Sequence, residues 1–389
     1  MSRVRSSSTS PSSPELVATA SLSLFSLIAS SLLAISGWGS PLAVAHLAFA
    51  VGIVPLIFAA MMHFVPVLTR TGDPDRRLRT LPNLAQANGL IAVFAMQGWL
   101  PYGVVYANAT VAAIFAAILL RWIGLRAGVT LGSPHPGWRW YAAALGALLL
   151  ALLAILLIPL LPDYWRSLRL FHLHLNTLGL VGLAALGTLP VLLPTALGKP
   201  DPDAAAWLRR RCWLTVVGVL LVAGGAAIYW TLAAPGAALL SFLVFGLIGQ
   251  WLRRFGIGAV LRDGVAASLC AALIGLLTTL LAGLLHGAGI WPARPALLAW
   301  GAGFLVPLVT GALSQLVPVW RWPGPTTPAR GLMRMKLAAT GGWRGLFFLG
   351  AAIALLAGFE RIGGAMVASG IALFAIALLQ AVRVQGSTR

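Results

Sequence analysis

Two histidines, His172 and His174, enter an apolar stretch that runs from His172 to Pro194 and would otherwise serve only to fill a bilayer. Ionisable groups at membrane depth are costly, so they mark functional positions. The stretch has relatives in the same chain. His46 precedes Pro66 by 20 residues, as His174 precedes Pro194. A third copy runs from Leu298 to Pro318, with Pro307, Gln315 and Pro318 placed 252 residues after Pro55, His63 and Pro66, but no histidine begins it.

The chemistry open to such groups is ligation. Residues two apart on a helix point about 200° away from each other, so His172 and His174 cannot grip one ion together, and each needs a partner on its own face. A neutral imidazole in apolar surroundings is satisfied as a ligand or by a hydrogen bond. Rings on facing helices suit axial ligation of a heme, a flat apolar group that fits between helices. Its propionates call for cations, and Arg166, Arg169 and Arg294 lie close in sequence to the histidine segments. The plainer alternative is that these histidines cap helices or bond backbone carbonyls. His286 is open between metal ligand and interface residue. An interhelical hydrogen bond is the expectation for His63 and its counterpart Gln315, and a surface position is the expectation for His135.

The elements that must hold these residues are membrane helices. Of 389 residues, 59% are apolar and 9% charged, too much apolar surface for one aqueous core. A span takes roughly 20 apolar residues. Twelve such stretches occur, at about 16–38, 42–68, 83–102, 104–122, 140–162, 170–194, 212–233, 236–252, 266–288, 296–320, 342–358 and 362–382. In lipid they must be helical to satisfy their backbones. The polar residues of spans 3 and 4, Asn83, Gln86, Asn88, Gln97 and Asn108, are expected to bond between helices.

The net charge of +19 is distributed unevenly. With loops assigned alternately to two sides, one side holds both termini and 23 Lys and Arg, and the other only Arg166, Arg169, Arg294 and Arg361. That asymmetry places both termini in the cytoplasm and leaves nucleic acid no role as a partner. His46, His172, His174 and His286 then share the outer layer. Cys212 and Cys270 have no pairing or zinc spacing and read as small buried residues. Residues 1–15 read as a disordered cytoplasmic tail, and 16–389 as a single transmembrane domain. The motif copies fall in spans 2, 6 and 10. They imply duplication of a four-helix unit, roughly 16–138, 139–262 and 263–389, around a pseudo-threefold centre. The expected fold class is thus an all-α polytopic membrane protein of about twelve helices in three repeated units.

Twelve helices in three units of four, with histidines at the outer ends of inner helices, resemble the catalytic subunit of heme-copper oxidases and nitric-oxide reductases. The run His172-x-His174, with Gly179 five and Pro194 twenty residues after the second histidine, is similar to the HxH helix of the reductases. It also resembles the motif of the NnrS family of heme- and copper-associated membrane proteins. The resemblance implies that His46 and His174 are axial ligands of a heme b and that His172 faces a second heme or a metal, with copper as the candidate. It also implies a bacterial cytoplasmic membrane, a respiratory or periplasmic redox partner, and a role in nitric-oxide or respiratory redox chemistry. The sequence departs from the oxidases in three ways. HxH lies on the sixth span rather than the tenth, no three-histidine copper set is visible, and no span carries a carboxylate for proton pumping. A second class of function, a transporter or insertion factor for copper or heme, would use the same histidine layer as a loading site.

Overall fold

A computed structural model describes residues 14–385. The expected tail over 1–15 falls mostly outside these residues, and its last two, Pro14 and Glu15, already open the first helix. We number the main helices α1 (Pro14–Ser36), α2 (Pro41–Thr69), α3 (Leu81–Met96), α4 (Val104–Gly128), α5 (Gly137–Leu157), α6 (Pro162–Ala196) and α7 (Ala204–Ile228). The series continues with α8 (Trp230–Phe255), α9 (Gly264–Gly287), α10 (Ala293–Arg321), α11 (Pro328–Ala338), α12 (Gly341–Leu356) and α13 (Glu360–Val382). No strand occurs among the described residues.

Among the described residues, eleven helical stretches are long and apolar enough to cross a bilayer, α11 and α12 counting as one. The remaining expected span, 83–102, is the 16-residue helix α3. It stops at Met96, where a turn through Gly98 at φ +84° ends it before Pro101. The outward faces are apolar: Phe25, Trp213, Phe242 and Ile353 are each more than 60% exposed. Single exposed apolar residues are ordinary in soluble proteins, but large ones around a whole helix bundle require lipid. The protein is an all-α polytopic membrane protein.

Packing repeats along the chain. α2 lies between α1 and α3, α6 between α5 and α7, and α10 between α9 and α12. Each of these three motif helices also touches the helix that begins the next group: α2 meets α5, α6 meets α9, and α10 returns to α1. The last contact closes a ring. Aromatic pairs join the first and third motif helices at two levels, with Phe49 stacked on Trp300 at 5.5 Å and His63 edge-on to Trp320 at 6.0 Å.

Polar residues fasten the first group as expected. Asn108 Nδ2 donates to Asn88 Oδ1 at 2.8 Å, Thr19 Oγ1 to Asn83 Oδ1 at 2.6 Å, and the Ser40 amide to Gln97 Oε1 at 3.0 Å. In lipid such bonds contribute roughly 0.6 kcal/mol each. Close approach does the rest: at Gly275 of α9 an added Cβ would collide with the carbonyl oxygen of Gly303 on α10. Cys212 and Cys270 are free and buried.

Candidate functional site

Each motif helix changes its winding at the same place. The seven residues Leu47–Ile53, the eight residues Leu175–Gly182 and the five residues Gly301–Leu305 are π-helical, set into otherwise α-helical segments. The first two begin 128 residues apart, as do His46 and His174. Both histidines therefore occupy the last α-helical residue before the π-helical run. Such runs are rare, cost hydrogen-bond geometry, and concentrate at functional positions.

The local sequence explains the first of them. Ser40 caps α2 by accepting from the Ala43 amide at 3.1 Å, and Pro41 sits in the first turn, where its missing N–H costs nothing. Pro55 then follows the π-helical run and lacks the amide that would bond Val51 O one turn back. Gln86 of α3 supplies the missing donor: its Nε2 reaches Val51 O at 3.4 Å as well as Thr19 O and Ser23 Oγ at 3.2 Å each. Gln86 is 3% exposed. The third copy repeats the proline at Pro307, whose own carbonyl accepts from Ser268 Oγ at 3.1 Å.

Four of the histidines share one hydrogen-bond pattern. His46 Nδ1 lies 2.7 Å from Leu42 O and His174 Nδ1 lies 2.8 Å from Leu170 O, each four residues back on its own helix. His172 Nδ1 is 2.9 Å from Ala151 O of α5, and His286 Nδ1 is 2.8 Å from Trp291 O. A carbonyl only accepts, so each Nδ1 carries the proton and each Nε2 keeps a lone pair. Asn176 Nδ2 lies 3.4 Å from the His172 Nε2 and bonds the His172 carbonyl at 2.8 Å. The plainer expectation, bonding to backbone carbonyls, is thus met at Nδ1, and among the described residues it leaves Nε2 of His46, His174 and His286 without a partner, whereas His172 Nε2 has Asn176.

Across the groups, the charge of His46 bears on His172 and that of His286 on His174. His46, His172 and His174 are half-buried and His286 is exposed.

The arginines expected to meet propionates are engaged elsewhere or face outward. Arg294 Nη2 bonds Glu360 Oε2 at 3.0 Å, the Arg169 guanidinium lies over the Trp165 ring at 5.1 Å, and Arg166 is exposed. A cavity of about 480 Å³ lies between α1, α10, α11 and α13, with none of these histidines in its wall. Among the described residues, no group of three His, Cys, Asp or Glu side chains comes together to hold a metal ion.

Two expectations for the other histidines change. His63 and Gln315 do not share a bonding role. Gln315 accepts from Arg334 Nε at 2.6 Å, and Arg334 also bonds Asp263 Oδ2 at 2.9 Å and Ala196 O at 2.7 Å. His63 packs instead against Phe64 and Trp320. His135, expected at the surface, is half-buried and built into its loop: its amide donates to Leu68 O at 2.9 Å, and its Nδ1 accepts from the Gly137 amide at 3.3 Å. Burial and the nearby charge of Arg209 push its pKa below the usual histidine value.

Sequence reasoning missed the π-helical turns and the role of Gln86. The signal available was Pro55 and Pro307 at equivalent positions, each of which removes an amide one turn after a glycine-bearing segment. Compared with known protein families, curated proteins and solved structures, the chain matches none.

Proposed function

We propose that this chain is a heme-binding protein of a bacterial cytoplasmic membrane, with both termini in the cytoplasm and a redox role at the opposite face. The reading rests on one observation: His46 and His174 sit at equivalent positions, each ending an α-helical segment at a π-helical turn, each with Nδ1 tied four residues back and Nε2 free. Ligating histidines are held in this way, with the outer nitrogen fixed by a carbonyl so that tautomer and ring plane are set before the metal arrives.

The donor set fits a b-type heme. His46, His172, His174 and His286 would supply axial nitrogens, each with its Nδ1 held by a carbonyl. Once bound, the group supplies one-electron chemistry. The chain's own contribution is to orient the rings and shield them with the apolar faces of α2, α5 and α6. Arg166 and Arg169 carry no ion pair among the described residues and would be the candidates for the propionates, whereas Arg294 is paired with Glu360. The redox partner implied is a respiratory or periplasmic carrier. Copper draws less support, because thiolate and thioether ligands favoured by Cu(I) are not grouped with the histidines and no donor triad forms among the described residues.

The test is spectroscopic. The full chain, purified after expression with added heme precursor, should show a Soret band and sharp α and β bands on reduction. His46→Ala and His174→Ala should each remove low-spin signal. If neighbouring rings share an iron, His172→Ala should alter the same signal as His46→Ala, and His286→Ala the same as His174→Ala. A colourless protein, or a spectrum indifferent to all four substitutions, rejects the reading. Copper uptake in cells lost on the same substitutions would favour the transporter reading instead.

A further inference from the structure

The ring closes where α10 and α13 come back to α1, and this seam is not filled. Its cavity of about 480 Å³ falls within the ~300–1,000 Å³ range of small-molecule sites, and its walls include Val17 and Leu24 of α1, Val317 of α10, and Phe374 and Leu378 of α13. A narrow continuation shares Leu24 and Phe374 and runs on past Ile28 and Ile371, which makes the space a slot along α1 rather than a bowl. One charged residue, Arg321, lines it.

Arg321 stands at one end of the slot, beside the C-terminal turn of α13. Its Nη1 donates to Val382 O at 3.1 Å, and Lys336 Nζ of α11 donates to Gln380 O at 3.3 Å. These cations cap the last carbonyls of α13, and they also set positive charge at the mouth of an apolar slot. Glu15 follows Pro14, a residue of the same wall. The mouth lies on the side that carries 23 of the 27 Lys and Arg residues, the side that in a cell faces the anionic leaflet.

From this arrangement we infer that the seam binds one anionic phospholipid, with an acyl chain along α1 and the headgroup phosphate on Arg321 and Lys336. The shape argues for a chain, because the walls are mainly apolar, with Ser21, Ser31 and Thr310 as uncharged polar side chains along them and charge only at one end. The charge argues for a headgroup of net negative charge over a zwitterionic one, because each cation near the surface favours an anionic lipid by roughly fivefold. The lipid would seal the closure between the first and last helices of the ring.

Native mass spectrometry of the full chain in detergent tests this, with dioleoylphosphatidylglycerol and dioleoylphosphatidylcholine titrated separately and in competition. The expected result is one retained phosphatidylglycerol per chain, with preference over phosphatidylcholine falling roughly fivefold for each of Arg321→Gln and Lys336→Gln. Ser21→Trp and Leu24→Trp, which fill the slot, should abolish retention of both lipids while size-exclusion behaviour stays that of the parent. Equal retention of the two lipids by the parent protein overturns the headgroup assignment whatever the variants do. Unchanged retention in the slot variants overturns the chain site, and displacement of the lipid by inorganic phosphate shows an anion site with no lipid specificity.

Discussion

Replacing Gln86 with Met should destabilise the protein by about 2 kcal/mol, and the number comes from three contacts of one amide. Gln86 Nε2 reaches Thr19 O, Ser23 Oγ and Val51 O at 3.2, 3.2 and 3.4 Å. Thr19 O is a helix carbonyl with its own amide partner, and the Ser23 hydroxyl can turn to its own helix, so each of these losses costs roughly 0.6 kcal/mol at most. Val51 O has no such reserve, because Pro55 offers no amide one turn on, and an orphaned buried carbonyl costs about 1–3 kcal/mol. The length of the Val51 contact puts its share at the low end. Reversible unfolding in mixed micelles, followed by tryptophan fluorescence, measures the total. The sharper measurement is the same substitution in a Pro55→Ala background. There the restored amide can satisfy the π-helical segment, and the cost of Gln86→Met should fall to about 1 kcal/mol, the share of the other two contacts. An equal cost in both backgrounds would show that the orphaned carbonyl is not what Gln86 serves. If His46 ligates heme, Gln86→Met alone should also broaden the low-spin spectrum by loosening the segment that follows His46.

Other substitutions probe the packing and the charges. Gly275→Ala should cost about 1–3 kcal/mol because its methyl meets the Gly303 backbone, whereas Gly283→Ala on the same helix, with open space around it, should be neutral or stabilising by about 0.5–1 kcal/mol; detergent thermal shifts separate them. Arg344 is fully buried, with only Nη2 bonded, to Ser314 Oγ and Leu337 O, and Nε and Nη1 lacking partners. Arg344→Met should therefore leave the unfolding midpoint unchanged or raise it, because Leu337 O keeps Ser314 and Met packs on Phe374. His135 titrates below the usual ~6.5 in the folded protein. The unfolded chain thus binds the proton first, so stability is fullest above about pH 6.5 and declines as pH falls below it. His135→Gln should flatten that decline, read as the pH dependence of the unfolding midpoint.

The hydropathy of the chain by itself determined that this is a bundle of membrane helices, because lipid forces any long apolar segment to bond its backbone internally. It also located the motif copies and the histidines, since type and spacing are read directly. The end of α3 at Met96 was visible in Gly98 and Pro101, though apolar content alone carried the span on to residue 102. What only the tertiary structure decided is where side chains from helices far apart in sequence find each other. Val51 O turned to α3 for its donor, Gln315 was taken by Arg334 and so parted from His63, and His172 found its carbonyl, Ala151 O, on α5. A helix's period fixes which face a residue occupies, but a free carbonyl, an imidazole nitrogen or an open seam is settled by whichever distant group arrives within hydrogen-bond reach. The sequence does not encode that as a local pattern.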